Sequence, residues 1–497
     1  MIKKVAIPGT AAFFVGSFTL ACEKRRPCRP NGNGRQAING TGTSTMPKSI
    51  NPATGEVIED YADHSDADVE RALENADLAY RDWRKTPYSR RAELLMRTAD
   101  VLERRKDELA RIATREMGKR LKEAVAEVEK SAAGCRYYAE HGEAMIADDE
   151  RPGPAGRNYV AYLPIGPVLA VMPWNFPYWQ CFRFIAPALM AGNVGLLKHA
   201  SNVSQCALEI EKVLLEADAP QGVFQTLLIS SKKVEPILRD RRIRAATLTG
   251  SEGAGSAVAA TAGSEIKTTV LELGGSDPFI VMPSADISKA VDVGVTARMQ
   301  NNGQSCIAAK RFIVHEDVYD DYAARYRAKL EAMTVGDPMD AATDIGPVAM
   351  KSGVEDLEDQ IQRSVKAGAQ LTTGGAIEGK GFYFKPGMLE NVGKDAPAYR
   401  EELFGPCAIF FKVASIDEAI SLANDSDFGL GGSIWTNEAP EIERFVRELD
   451  QGGTHVNRMT ASDPRLPFGG VKRSGYGREL SKEGIHAFMN VKTVTID

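Results

Sequence analysis

The spacing of apolar residues divides the chain into two textures. Ser65 stands before Asp66 to Trp83 and reads as the cap of a first helix. Arg90 to Met117 and Leu121 to Tyr138 carry apolar residues at helical spacing and predict two more. From Val168 the pattern changes to short apolar runs, Val168 to Met172, Val194 to Leu197, Phe224 to Ile229 and Ala245 to Thr249. Amphipathic stretches lie between them, among them Phe182 to Ala191 and Ser204 to Ala217. That alternation predicts βαβ units and a parallel sheet. A second alternation begins at Pro278 and runs through Ile313-Val314, Ala408 to Phe411 and Thr454 to Val456, which places a domain boundary near Gly274-Gly275. Val491 to Ile496 alternates as an exposed strand does. An unpaired terminal strand is usually covered, often by another subunit.

With 497 residues the chain is long enough for two or three domains, each with its own core. A net charge of -6, with basic residues spread out apart from a cluster at Lys24 to Arg29, gives no footprint for nucleic acid or an anionic membrane. Seven cysteines occur singly, with no CxxC pair, which fits a reducing, cytoplasmic compartment. The six histidines show no ligand spacing, and no metal is expected. Residues 1–45 stand apart. Lys3 and Lys4 precede an apolar run from Val5 to Ala21, then Cys22. The run reads either as a non-native leader or as an export or lipoprotein signal. Pro8 and Gly9 interrupt it, and Thr19 to Cys22 is a poor cleavage match, which favours the first reading. Cys28 to Thr45, rich in Gly, Asn and Thr, reads as disordered linker.

Four segments carry candidate chemistry. Cys306 closes the polar turn Asn301 to Ser305, which can expose a thiol and aim backbone N–H groups at an oxyanion. A buried structural cysteine is the alternative, and it suits Cys135, Cys181, Cys206 and Cys407. Glu272 lies in the apolar run Val270 to Leu273, where burial raises a carboxyl toward the range of a general base. Alternatively it is a structural carboxylate capping the neighbouring glycines. Asn175 follows a Pro-Trp turn, where a backbone cap is the ordinary role. The segment Leu248 to Gly255 joins an apolar strand to a helix through Gly250, Ser251 and Gly255. Glycines there let a backbone approach a pyrophosphate, though the spacing is not the standard dinucleotide fingerprint.

Taken together, MPWNFP with Asn175, LELGG with Glu272 and NNGQSC with Cys306 resemble the aldehyde dehydrogenase family. The resemblance covers about Ile50 to Asp497, and MPKSINPATGE from Met46 is similar to the family's usual start. MPWNFPYWQCFRFIAPALMAGN, LKHASN and SDPRLPFGGVKRSGYGRE bring it nearest to the bacterial NADP-linked succinate-semialdehyde dehydrogenases. The fold implied is α/β: a Rossmann-type NADP-binding domain at 46–142 and 165–274, a catalytic domain at 275–483, and oligomerisation strands at 143–164 and 484–497. The resemblance makes Cys306 the nucleophile, Glu272 the base for the deacylating water, and Asn175 with the Cys306 N–H the oxyanion hole. It gives Trp174, Lys198, Ser201, Gly250, Ser251, Gly255, Glu402 and Phe404 to the cofactor, and Trp179, Arg183, Ser305 and Ser462 to the substrate tunnel. NAD-linked members commonly carry a glutamate where Ser201 stands. A glutamate repels a 2′-phosphate, so NADP is expected over NAD. Arg183 in an apolar setting suits the distal carboxylate of a short semialdehyde; a structural ion pair is the alternative. Two departures stand out: Phe184 replaces a lysine of a proton relay, and Ala308 replaces the second cysteine of a redox switch. The implied activity is NADP-dependent oxidation of succinic semialdehyde by a homodimer or homotetramer. The other readings are a broad-specificity aliphatic aldehyde dehydrogenase and a catalytically silent NADP-binding or structural protein.

Overall fold

In the computed structural model, which describes residues 48–153 and 156–497, Ser65 caps the first helix, Asp66–Trp83. Its hydroxyl accepts from the Asp68 N–H at 3.2 Å while the Asp68 carboxylate accepts from the Ser65 N–H at 2.9 Å. This reciprocal pair satisfies two otherwise orphaned donors. Helices Tyr88–Met117 and Leu121–Met145 follow, the second running past the predicted Tyr138. The leader read at 1–45 lies outside the described residues.

The first alternation forms a six-stranded sheet in the order Gly475–Tyr476, Thr268–Glu272, Ala245–Thr249, Pro167–Met172, Val194–His199, Phe224–Thr226. All pairs are parallel except that of Gly475–Tyr476. The last strand stops at Thr226, short of the predicted Ile229. Register sets Thr249 beside Glu272. The loops that follow Met172, Thr249 and Glu272 therefore leave one carboxyl edge, where open parallel sheets bind ligands. The second alternation forms a seven-stranded sheet: Gln370–Ala376, Phe384–Glu390, Cys407–Val413, Ala309–His315, Asp277–Val281, Gly431–Trp435, Gly453–Val456. Only its first pair is antiparallel. Period-two alternation splits its apolar residues between two cores. Phe279, Val281, Phe312 and Phe410 face one; Ile280, Ile313, Ile409 and Phe411 face the other. Both faces are covered, so these strands read as unbroken apolar runs. Four residues separate Glu272, at the end of one sheet, from Asp277, at the start of the next. The carboxyl edge of the first sheet is thereby held near the amino edge of the second.

Met489–Ile496 pairs antiparallel with Arg157–Pro164, which pairs with Asp149–Glu150. The terminal strand is an edge, and Val491 on it is 60% exposed. Among the described residues no helix is long and apolar enough to cross a membrane.

Candidate active site

The turn before Cys306 is built from residues that tolerate left-handed backbone. Asn301, Asn302 and Gly303 follow one another at φ 52°, 56° and 76°. Asparagine and glycine adopt this conformation at least cost. Their side chains then lock it. Asn301 Nδ2 donates to the carbonyls of Asn175 at 2.7 Å and Gln304 at 3.0 Å. Asn302 Nδ2 donates to those of Gly118 and Pro347, each at 2.9 Å, and its Oδ1 accepts from the Gly346 N–H at 2.8 Å. A Cβ on Gly303 would lie 2.4 Å from the carbonyl group of Gly405, so a larger residue would force the turn off the segment carrying Glu402 and Phe404.

Two buried cations, neither singled out from the sequence, hold the same region. Arg298 donates to the carbonyls of Gly303, Leu403, Gly405 and Cys407. Lys310 donates to those of Ser305 at 2.8 Å and Cys306 at 2.9 Å and meets Glu402 Oε1 at 3.0 Å. The thiol loop and Glu402 are thus tied to one ammonium.

Cys306 is half-buried and shares a cavity of about 290 Å³ with Asn175, Gln180, Thr249, Gly250 and Phe404. The protein packed around the thiol pushes it up to about 12, while the charges of Arg183 and then Lys310 pull it down. Asn175 Nδ2 spends one hydrogen on the Gln304 carbonyl at 3.0 Å, leaving one for the cavity. The Cys306 backbone N–H makes no hydrogen bond among the described residues. The cavity thus holds a thiol, a free amide hydrogen and a free backbone donor, a set able to stabilise an oxyanion formed on the thiol's adduct.

Glu272 is placed differently. Its carboxyl is turned toward Gly469, where a Cβ would lie 2.7 Å from Oε1, and it does not line the cavity at Cys306. Neither oxygen has a hydrogen-bond partner among the described residues. Burial, then the charge of Glu479, raises it well above the carboxylate range, with Arg183 and Arg478 opposing.

For Arg183 the sequence leaves two partners open, a substrate carboxylate and a structural ion pair, and the structure shows an acid beside it. Glu479 supplies a protein carboxylate, in an ion pair whose side chains are 3% and 6% exposed. A buried guanidinium needs a counter-charge at all times, and Glu479 provides one whether or not substrate is bound. The guanidinium also lies 4.6 Å from the centre of the Phe468 ring. Glu479→Gln should strand this charge and cost about 3–5 kcal/mol in a denaturant titration. The same change removes the charge of Glu479, which raises Glu272, and leaves that of Arg183, which lowers it. The pH–rate profile, where it reports Glu272 as a base, should therefore move toward acid.

The remaining expected positions divide between two groups. Trp174 and Phe404 meet edge to face at 5.7 Å, and with Gly250, Ser251 and Glu402 they line the cavity. Ser251 caps helix Glu252–Ser264, and a Cβ on Gly255 would lie 2.6 Å from Leu273, so glycine lets this helix approach its strand. Lys198 ends strand Val194–His199 and forms no ion pair among the described residues; burial lowers its pKa. Ser201 opens the next turn, half-exposed. In the second group the indole of Trp179 donates to Ser462 Oγ at 3.0 Å. Ser305 is buried outside the lining of the cavity, and its hydroxyl has no partner among the described residues. Gln180, which lines the cavity, was not expected.

The pattern described as the aldehyde dehydrogenase family matches residues 39–494. Succinate-semialdehyde dehydrogenase (NADP+) of Mycobacterium avium is 54% identical over 455 residues, 90% of this chain and 96% of that one. Probable succinate-semialdehyde dehydrogenase (NADP+) of Synechocystis is 50% identical over 449 residues, 90% and 99% of the two chains. Among solved structures, succinic semialdehyde dehydrogenase from Streptococcus pyogenes in complex with NADP+ superposes with a TM-score of 0.89 at 37% identity, covering 90% of this chain and 99% of that one. With one family's pattern running from residue 39 almost to the terminus and relatives half identical over that length, the chain belongs to the aldehyde dehydrogenase family.

Proposed function

We propose that the chain oxidises succinic semialdehyde to succinate with NADP, through a thiohemiacetal and a thioester on Cys306. The observation that carries this is the shared cavity: a half-buried thiol beside one unspent amide hydrogen of Asn175 and its own unspent N–H. The substrate and cofactor are those in the names of the relatives at 50–54% identity.

The residues present fit the cofactor. A Cβ on Gly274 would lie 2.5 Å from Glu402 Oε2, so glycine there lets the carboxylate stand at the cavity wall, where it can accept from ribose hydroxyls. Lys198 and Ser201, with no acid paired to either among the described residues, suit the 2′-phosphate. When bound, NADP supplies the hydride acceptor. The protein's part is otherwise its own. The Cys306 sulfur adds to the aldehyde carbon, and the new oxyanion takes hydrogens from Asn175 Nδ2 and the Cys306 N–H. Glu272 reaches the resulting thioester by turning from Gly469, then accepts a proton from the attacking water. Its raised pKa means that deacylation should quicken as pH rises.

Two further readings belong here. The six- and seven-stranded sheets serve as the NADP-binding and catalytic halves. The exposed terminal strand, carrying Val491 and Ile496, meets another subunit, which sedimentation velocity would reveal as a dimer or larger species.

A panel of aldehydes with NADP and NAD, following the reduced cofactor, tests the proposal. Succinic semialdehyde with NADP should give the highest kcat/KM; equal rates across uncharged aldehydes would favour a broad-specificity enzyme. Ser201→Glu should set a carboxylate against the 2′-phosphate at a cost of about 2–3 kcal/mol, roughly 30- to 150-fold in relative affinity. Unchanged constants for both cofactors would remove Ser201 as the discriminator.

A further inference from the structure

Lys310 lies in strand Ala309–His315, and its ammonium is fully buried behind the Cys306 turn. Four oxygens converge on it. The carbonyls of Ser305 and Cys306 accept at 2.8 and 2.9 Å, that of Ala308 lies at 3.5 Å, and Glu402 Oε1 stands at 3.0 Å. Asp277, opposite Ala309 on the neighbouring strand, also feels its charge. An apolar side chain would fill the same space without burying a cation, so the charge calls for a reason.

The bond to Ser305 bears on the oxyanion. The Ser305 carbonyl and the Cys306 N–H belong to one peptide group, and in a trans peptide the two point in opposite directions. Lys310 stands outside the lining of the cavity and Cys306 within it. Holding the oxygen toward Lys310 therefore turns the N–H to the cavity side, where it has no partner among the described residues. The other lone pair of that oxygen is taken by the Ala308 N–H at 3.1 Å. The carbonyl is saturated, and a flip of the peptide would give up both bonds. The next peptide is held from the same side chain. Its Cys306 carbonyl accepts from Lys310 and packs against Gly275, where a Cβ would lie 2.5 Å from the oxygen. The two peptides that flank the Cys306 Cα are thus fixed by one ammonium. That ammonium also draws electrons toward the Ser305 oxygen, which strengthens the Cys306 N–H as a donor.

We propose that Lys310 is a positioning residue for the oxyanion hole: by gripping the Ser305 carbonyl it keeps the Cys306 N–H aimed at the oxygen of the tetrahedral adduct. The inference rests on the covalent reading of Cys306 above and adds the side chain that makes its N–H available.

Two reactions of the Cys306 thiol, run on the full chain without cofactor, test it. With p-nitrophenyl acetate the sulfur adds to the ester carbon, the carbonyl oxygen becomes an oxyanion, and its collapse expels p-nitrophenolate to leave an acetyl thioester. With iodoacetamide the sulfur displaces iodide and no oxyanion forms. Acylation is followed by the first turnover of p-nitrophenolate, alkylation by mass spectrometry of the Cys306 peptide. Lys310→Met should slow acylation about 100-fold more than alkylation, the lower range of what the loss of one oxyanion-hole donor costs. Alkylation itself should slow only modestly, through loss of a cation that favours the thiolate. Lys310→Met combined with Glu402→Gln removes the carboxylate that the single change would strand. It serves where the single change disturbs the fold, and should show the same fall in the ratio. A ratio of acylation to alkylation within about 3-fold of wild type would overturn the role of Lys310 alone, even with both rates falling together as a merely structural defect would make them. Wild-type acylation on a residue other than Cys306 would overturn the covalent reading itself, and this inference with it.

Discussion

Replacement of Cys306 by alanine should abolish dehydrogenase turnover, by at least ~1,000-fold, while NADP binding persists. Cys306 carries the one thiol among the described residues that line the cavity it shares with Asn175. The loop that carries it is fixed by Asn301, Asn302, Arg298 and Lys310, none of which depends on the sulfur. The alanine variant should therefore keep its melting temperature and its titration of protein fluorescence by NADP. Turnover near the parent's would remove covalent chemistry at this residue.

The second large effect is expected at Glu272. With no hydrogen-bond partner among the described residues and a pKa raised well above the ordinary range, Glu272 contributes nothing visible to loop geometry. The proposed mechanism uses it as the base for the deacylating water. Glu272→Gln keeps the shape and removes the proton acceptor. General-base assistance amounts to about 100- to 10,000-fold, and the loss should fall on deacylation. Stopped-flow absorbance should show a burst of close to one reduced cofactor per subunit, followed by a steady rate slower than wild type by that factor. A slowed burst with no accumulation would place Glu272 in thiol activation instead. Wild-type rates throughout would remove it from the chemistry.

The parts of this architecture that follow from local patterns were legible in the chain. Ser65 and Asp68 form a capping box from contiguous residues, and Asp66–Trp83 begins and ends where the periodicity places it. Ala245–Thr249 is an apolar run buried on both faces, and it too was read with its correct bounds. Gln370–Ala376 escaped notice, because LTTGGA carries no sustained alternation and its pairing with Phe384–Glu390 shifts register twice. In the site, Cys306 and Asn175 were visible through their motifs, and the structure sets them in one cavity.

What stayed hidden were contacts between residues far apart in the chain. Glu479 lies 296 positions from Arg183, and nothing local to either shows that one neutralises the other. Lys130 reaches Ser462 across 332 positions, and on its own helix it reads as one more exposed lysine. Lys310 sits four residues after Cys306, yet its bonds are to carbonyls, which carry no side-chain signature.

The most direct test of the covalent mechanism is to mix the Glu272→Gln enzyme with succinic semialdehyde and NADP, quench in acid within the burst, and map the peptides by mass spectrometry. The peptide containing Cys306 should gain about 100 Da, one succinyl group held as a thioester, and should lose it on treatment with hydroxylamine. Reduced cofactor formed in the burst with an unmodified Cys306, or with the succinyl group on another cysteine, would contradict the mechanism at its centre.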